Sequence, residues 1–415
     1  MAFLEEDTSK VYSIVKKVSV QHYVSTYNIY KKIAEEINVD LFFCDYLMNY
    51  PCFDLAWKLG KPAVGSSTDH SYLPNPPYIA DPIYGCHVNM ENESFYNRFK
   101  CAIIVPLKKA WSARDTTKGI NTQRALVGVD PHWDFFGRIS TDTPLHQEIG
   151  PVLPDVFPGL TPDLDSFLSA HPRTLYFALG TNVFIPPQSV VTFLKSFLEL
   201  INQDVIDGVI WSTVKTDVED SFQLANYSSH DYPHIFISNF SPQFAILSHE
   251  NTKIFLSHGG AASAHESMYT ATPMLIIPIM GDQPRNAEKL ELAGIALRIS
   301  KTNLLVDDIV EKVKRLLNDE SFKKNSERLQ FLSRINSKRK FRAADLIEIT
   351  MNTVKYVGVE DDHGRLRINN DNLLRDWITP DSRMGFIRGN YLDVYAFAIF
   401  LVFLLFGGFV YTLWK

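Results

Sequence analysis

Residues able to do chemistry gather between Gly180 and Gln283. The stretch His258-Gly259-Gly260-Ala-Ala-Ser263, with Glu266 three residues on, follows an apolar run, KIFLS, that reads as a buried strand. Glycines at a strand-to-helix turn let a ligand approach the backbone closely. The start of the following helix offers unpaired N–H groups and the positive end of a dipole. Together they suit a phosphate or diphosphate. Three more apolar runs end in small or polar residues: Gly180-Thr181, Phe240-Ser-Pro-Gln243 and Gly281-Asp282-Gln283. In open parallel sheets ligands bind at the carboxyl ends of the strands, so these four termini predict one site. Neither G-x-G-x-x-G nor G-x-x-x-x-G-K-[ST] occurs, which removes support for nicotinamide dinucleotide and Walker-type nucleotide readings. No metal is expected. The one D-x-D, Asp163 and Asp165, lies in a proline-rich stretch and reads as solvated or helix-capping.

The elements that must position these residues are regular. Strand-like runs fall at 174–180, 208–214, 234–240, 253–259, 274–280 and 295–300. Helix-like stretches lie between them at 188–203, 242–249, 262–270 and 284–293, and continue at 303–318, 320–335 and 341–355. Short apolar strands alternating with helices predict an α/β fold with a doubly wound, mostly parallel sheet. Earlier in the chain, 11–38 reads as helix, 40–45 as a short strand, 53–59 as helix and Ala63-Val64 as part of another strand. Five prolines between 144 and 162 mark an interdomain linker.

The 415 residues suffice for two or three domains, and 46% hydrophobic with 21% charged residues is an ordinary globular mix. A net charge of −6 offers no basic surface to a phosphate backbone, so no nucleic acid partner is expected. The 4 cysteines, Cys44, Cys52, Cys86 and Cys101, do not read as a disulfide framework; a single bridge among them stays open.

The stretch from Phe240 to Gln283 resembles the donor-binding signature of the UDP-glycosyltransferase family, the UDP-glucuronosyl and UDP-glucosyltransferases. The match runs through Pro242-Gln243, His249, Phe255, His258-Gly259-Gly260, Ser263, Glu266, Pro273-Met274, Pro278, Asp282-Gln283 and Asn286 in one register. The resemblance implies the GT-B fold of two Rossmann-like domains and assigns roles. Phe240, where the family usually has tryptophan, would stack on uracil. Gln243 and Glu266 would hold the ribose hydroxyls. His258, Gly259, Gly260, Ser263 and Thr181 would surround the diphosphate. Asp282 and Gln283 would read the sugar hydroxyls. Ala271 replaces the usual glycine at a helix end, and His265, one position round the helix from Glu266, is expected to be structural.

Asp40-Leu-Phe-Phe-Cys-Asp45 resembles the family's amino-terminal segment, with Asp45 at the place of a catalytic aspartate. In the family this carboxylate orients a histidine that deprotonates the acceptor hydroxyl. That histidine has no match here; His22 is the sole histidine before Asp45 and lies in a helical stretch. The resemblance therefore implies an amino-terminally truncated chain. The expected domains are a partial acceptor-binding domain at 1–145, a linker at 146–165, a UDP-sugar donor domain at 166–357, a juxtamembrane segment at 358–393 and a transmembrane helix at 394–414. The uncharged run Val394–Trp414, with tyrosines and a tryptophan near its ends, motivates the last of these.

The expected activity is inverting transfer of glucose or glucuronic acid from UDP-glucose or UDP-glucuronic acid to a hydroxyl of a small lipophilic acceptor, with no cofactor. A catalytically inactive UDP-sugar-binding or regulatory protein, acting as a homo- or hetero-oligomer, is the first alternative. A sterol or lipid glucosyltransferase is the second. A single-pass endoplasmic-reticulum location is expected for the full-length form. The sequons at Asn92 and Asn226 suit it, while Asn239, beside the expected uracil position, should stay unmodified.

Overall fold

The computed structural model describes residues 8–45, 49–66, 86, 94–131, 147–213, 233–360, 366–368 and, within 392–404, all but 394, 395 and 398. The chain divides into two compact units, one comprising 17–74, 103–148 and 342–415, the other 1–16, 75–102 and 149–341.

The early elements are α1 (Thr8–Gln21), α2 (Tyr23–Ile37), β1 (Phe42–Asp45), α3 (Tyr50–Lys58), β2 (Ala63–Ser66), α4 (Phe95–Phe99) and α5 (Val105–Leu126). The single helix expected over 11–38 is two helices, broken at His22, whose φ of −91° and ψ of 1° depart from helical values. The Ser25 hydroxyl donates to the His22 carbonyl, a local bond that competes with the helical ladder and favours a bend. Strands β1 and β2 pair in parallel, Phe42 opposite Ala63 through Asp45 opposite Ser66, with α3 as the crossover. Tyr23, Tyr27, Phe42, Cys44, Cys52, Leu55 and Ile120 form the core of this unit. Within it Arg124 donates through Nε and Nη2 to the two oxygens of Asp54, and the Tyr23 hydroxyl donates to Asp54 Oδ2 at 2.6 Å. Burial and the Asp54 carboxylate push the Tyr23 phenol far above its ordinary pKa.

The reading of the cysteines is corrected. All four pair, Cys44 with Cys52 and Cys86 with Cys101. Separations of 8 and 15 residues carry no pairing signal in the sequence; the pairing follows from the fold. The first bridge ties β1 to α3, and strand alternation turns Cys44 inward beside Phe42.

The second unit is built on a six-stranded parallel sheet in the order β5-β4-β3-β6-β7-β8. Its elements are α6 (Pro162–Ala170), β3 (Thr174–Ala178), α7 (Pro187–Asn202), β4 (Gly208–Ser212), β5 (Ile235–Ser238), α8 (Gln243–Ser248), β6 (Thr252–Ser257), α9 (Ala261–Thr270), β7 (Met274–Ile276), α10 (Gln283–Leu292), β8 (Ala296–Arg298), α11 (Val306–Asn318) and α12 (Glu320–Asn336). Chain direction across the sheet reverses between β3 and β6, which makes their junction the topological switch point. Alternating strand residues feed two cores. Leu175, Phe177, Val209, Trp211, Ile254 and Leu256 pack on one side with residues of α7 and α11. Tyr176, Ile210, Phe255, Met274 and Ile276 pack on the other with residues of α6, α8, α9 and α10. Burial on both faces is why these strands read as continuous apolar runs. Phe177, Phe193, Phe197 and Trp211 meet at centroid separations of 4.7 to 6.2 Å, and such pairs add about 0.5–1.5 kcal/mol each beyond area burial.

Asp163 and Asp165 fall in the first turn of α6, where Thr161 accepts from the Leu164 N–H, so this D-x-D belongs to a helix start. Helix α13 (Lys340–Val357) and the antiparallel pair β9 (Gly358–Glu360) and β10 (Leu366–Ile368) complete the described elements apart from helical turns within 392–404.

The expected transmembrane helix at 394–414 is corrected. Among the described residues no helix is long and apolar enough to cross a membrane. Part of the expected span, most of the expected juxtamembrane segment and the sequons at Asn92 and Asn226 lie outside the described residues.

Candidate functional site

The four strand ends singled out in the sequence come from one sheet and lie at its carboxyl edge. Gly180-Thr181 follows β3, Phe240 to Gln243 follows β5, His258-Gly259-Gly260 follows β6, and Asp282-Gln283 follows β7. Parallel strands and β-α connections force this: each strand leaves the sheet at the same edge before its helix turns back.

Ten of the expected residues lie here, and hydrogen bonds join several of them. Gln243 opens α8; its Nε2 donates to Glu266 Oε2 at 2.7 Å and to Ser263 Oγ at 3.2 Å. Ser263 and Glu266 stand three residues apart on α9, so they share a face toward Gln243. Burial raises the Glu266 carboxyl above its ordinary pKa, and the Gln243 bond opposes that rise. Phe240 is 74% exposed, a free aromatic face beside the Gln243 helix start.

His258 is largely buried, and desolvation lowers its pKa although the Asp282 charge opposes this; the imidazole is neutral at pH 7. Its Nδ1 has no hydrogen-bond partner among the described residues. A neutral imidazole keeps one N–H for donation and one lone pair for acceptance. Gly259, at φ +78°, takes a backbone conformation that L side chains rarely adopt, and a Cβ there would fall 2.7 Å from Ile276 Cγ2. At Gly260 a Cβ would collide with the His258 ring. Gly260 is therefore dictated by the His258 ring, and Gly259 by its own left-handed backbone and by Ile276. Ser257 Oγ accepts from the Gly259 N–H at 3.3 Å and holds the turn from below. Thr181 is exposed on the loop after β3.

Asp282 and Gln283 are already engaged with the protein. Asp282 Oδ2 accepts from the Ala261 N–H, the first amide of α9, at 3.2 Å and from Asn286 Nδ2 at 2.8 Å. Gln283 Oε1 accepts from the Ile279 and Met280 N–H groups at 2.8 and 3.0 Å, bracing the loop that carries Asp282. Sequence reasoning noted Asn286 as a matched position without giving it a role; its spacing of four from Asp282 on one helix face was the available signal. His265 is part-buried with a lowered pKa caused by desolvation, and Asp282 opposes this shift too.

Asp45 belongs to the other unit. It ends β1, exposed, in register with Ser66 of β2. His22 stands at the α1–α2 break. Among the described residues no group of three or more His, Cys, Asp or Glu side chains is placed to hold a metal ion.

A six-stranded doubly wound parallel sheet with a glycine-rich turn at the switch point defines a Rossmann-like domain. Solved structures agree on the architecture. The chain superposes on the glycotransferase of kitacinnamycin with TM-score 0.57 and 20% identity, covering 81% of this chain and 82% of that one. It superposes on CalG4, the calicheamicin glycosyltransferase, with TM-score 0.54 and 16% identity, covering 83% and 84%. These likenesses show the fold, α/β of the GT-B glycosyltransferase type.

Residues 169–359 match the family model of UDP-glucoronosyl and UDP-glucosyl transferases, so this part of the chain is similar to that family. It is 34% identical over 286 residues to a UDP-glycosyltransferase of Talaromyces amestolkiae, covering 64% of this chain and 53% of the relative. It is 34% identical over 260 residues to UDP-glycosyltransferase 1 of Phaeomoniella chlamydospora, covering 61% and 52%. The chain thus spans about half the length of the curated relatives it matches.

Proposed function

We propose that the carboxyl edge of the six-stranded sheet binds a UDP-hexose and that the protein transfers glucose or glucuronic acid from it to a hydroxyl of a small lipophilic acceptor, with inversion. The observation that carries this reading is the Gln243–Glu266–Ser263 cluster beside the exposed face of Phe240, one helix turn from the His258-Gly259-Gly260 turn. Phe240 supplies the stacking surface for a flat base. The Glu266 carboxylate accepts from vicinal ribose hydroxyls, and Gln243 holds it in place. Neutral His258 donates to a diphosphate oxygen, and the start of α9 adds backbone N–H groups and its dipole. Thr181 adds a hydroxyl from the β3 loop. Asp282 and Gln283 face the hexose.

In the transfer itself the acceptor oxygen forms a bond to the anomeric carbon as the bond from that carbon to the UDP oxygen breaks. The acceptor proton goes to a base, and UDP leaves as an anion whose charge the α9 start and His258 stabilise. No metal is needed for that charge balance. Asp45 is the family-matched carboxylate on the acceptor side, where it would orient the base.

A second reading is UDP-sugar binding without turnover. His22 favours it: this histidine occupies a helix junction rather than a loop following a strand. The two disulfides favour an oxidising compartment, which supports the reading of an endoplasmic-reticulum location for the full-length form.

Calorimetry of the chain with UDP, UDP-glucose and UDP-glucuronic acid tests donor binding, with ADP as the control base. Micromolar UDP binding with ADP at least tenfold weaker is the expected result; no UDP binding overturns the reading. A UDP-release assay with a lipophilic alcohol then separates turnover from binding alone.

A further inference from the structure

Asn286 lies outside every role assigned above, yet its side chain ties the β6 turn to Asp282. It sits one turn into α10, and its Nδ2 donates both to the Gly259 carbonyl at 3.0 Å and to Asp282 Oδ2 at 2.8 Å. The same Asp282 oxygen accepts from the Ala261 N–H at 3.2 Å. One amide and one carboxylate oxygen therefore link the β6 turn, the first amide of α9 and the start of α10. Among the described residues Asp282 Oδ1 accepts no hydrogen bond, so the carboxylate is held by one oxygen and presents the other.

That arrangement has a chemical consequence. A carboxylate that distinguishes sugar hydroxyls must be held to within about 0.5 Å of the productive geometry. Asp282 is the first residue before α10 and makes no capping bond to its own helix, so its own backbone neighbours do not fix its rotamer. Asn286 and the Ala261 amide supply that constraint. The diphosphate turn has independent support from the Ser257 hydroxyl and from the packing of Gly259 on Ile276. Loss of Asn286 should therefore reach the sugar end of the donor more than the diphosphate end.

We propose that Asn286 is a positioning residue that sets the Asp282 carboxylate and thereby the preference of the site for a UDP-sugar over UDP. This inference rests on the donor-site reading above. The test is a double-mutant cycle of Asn286→Ala and Asp282→Ala, read as the ratio of UDP to UDP-glucose dissociation constants, with UDP-glucuronic acid run in parallel. Asn286→Ala should lower that ratio about tenfold with Asp282 present, the scale of one charge-assisted hydrogen bond, and by less than about twofold in the Asp282→Ala background. Asn286→Ser, which retains one donor, should recover part of the ratio and serves where the alanine variant melts early. An unchanged ratio, or equal effects in both backgrounds, overturns the inference while leaving UDP binding intact. Absence of UDP binding in the parent protein overturns the donor-site reading itself.

Discussion

The Gln243 side-chain amide meets the Glu266 carboxylate at 2.7 Å across 23 positions of sequence, joining the start of α8 to the second turn of α9. Glu266 is held there against its own desolvation, which raises its pKa. A carboxyl whose folded pKa exceeds its unfolded value lends stability at low pH that is lost as pH rises through the folded pKa. At pH 7 the ionised group is thus a cost to folding kept for binding. Glu266→Gln keeps an acceptor for Gln243 and removes the buried charge. Its melting temperature at pH 7 should equal or exceed that of the parent, with the gap closing in acid. Its UDP affinity should fall about tenfold, since a carboxylate accepting hydroxyl hydrogen bonds is worth about 1.5–3 kcal/mol.

His258 and His265 titrate in the opposite sense. Desolvation lowers both below the ordinary 6.5, with Asp282 as the opposing charge. Below pH 6.5 the unfolded chain takes up protons that the folded domain does not, so stability falls as pH drops from that value toward the folded pKa values. Thermal melts from pH 7.5 to pH 5 should show this decline. His265→Gln should flatten it without altering UDP binding at pH 7.5 by more than about twofold.

In the other unit Arg124 and Asp54 form a sealed ion pair at 2.8 Å, with side-chain exposures of 1% and 3%. Removing one partner leaves a buried charge unmatched. Arg124→Met should cost about 3–5 kcal/mol in urea unfolding. The double change Arg124→Met with Asp54→Leu should recover part of that, stopping short because the Tyr23 hydroxyl then loses its acceptor.

Ala271 ends α9 at φ +59°, where glycine is the usual residue. The left-handed conformation costs a non-glycine residue about 1–2 kcal/mol, while the buried methyl gives back about 0.8 kcal/mol. Lys323 Nζ donates to the Ala271 carbonyl and Gln330 Nε2 to the Tyr269 carbonyl, so α12 caps this helix end from outside. Ala271→Gly should therefore stabilise by no more than about 1 kcal/mol in the same urea assay. Ala271→Val, branched at Cβ, should destabilise by about 2 kcal/mol or more.

The parallel sheet was legible because its strands are buried on both faces: TLYFA, GVIWS and KIFLS read as apolar runs with small or polar residues after them. The gathering of the candidate residues at one sheet edge followed from the same property, since strand ends in such a sheet converge. What stayed hidden depends on partners distant in sequence. The disulfides of Cys44 and Cys86 need the packed fold to select their mates. The commitment of Gln283 Oε1 to two backbone amides follows from a loop path that periodicity does not encode. The uncharged run near the carboxyl end shows the opposite failure: composition alone suggested a span that the described helical turns do not supply.

The pairing of β3 with β6 sets the order in which the sheet can assemble. Strands β3, β4 and β5 neighbour one another in both sequence and space, as do β6, β7 and β8. Thr174 meets Thr252 only after a loop of roughly eighty residues closes, an entropic cost that local pairings avoid. Each three-strand half can form early from nearby chain, and the central seam should be the slow event on the folding pathway. Gln243 follows β5 and Glu266 lies on the helix after β6, so their bond joins residues from the two halves, and Thr181 joins them from the β3 loop once the seam shuts.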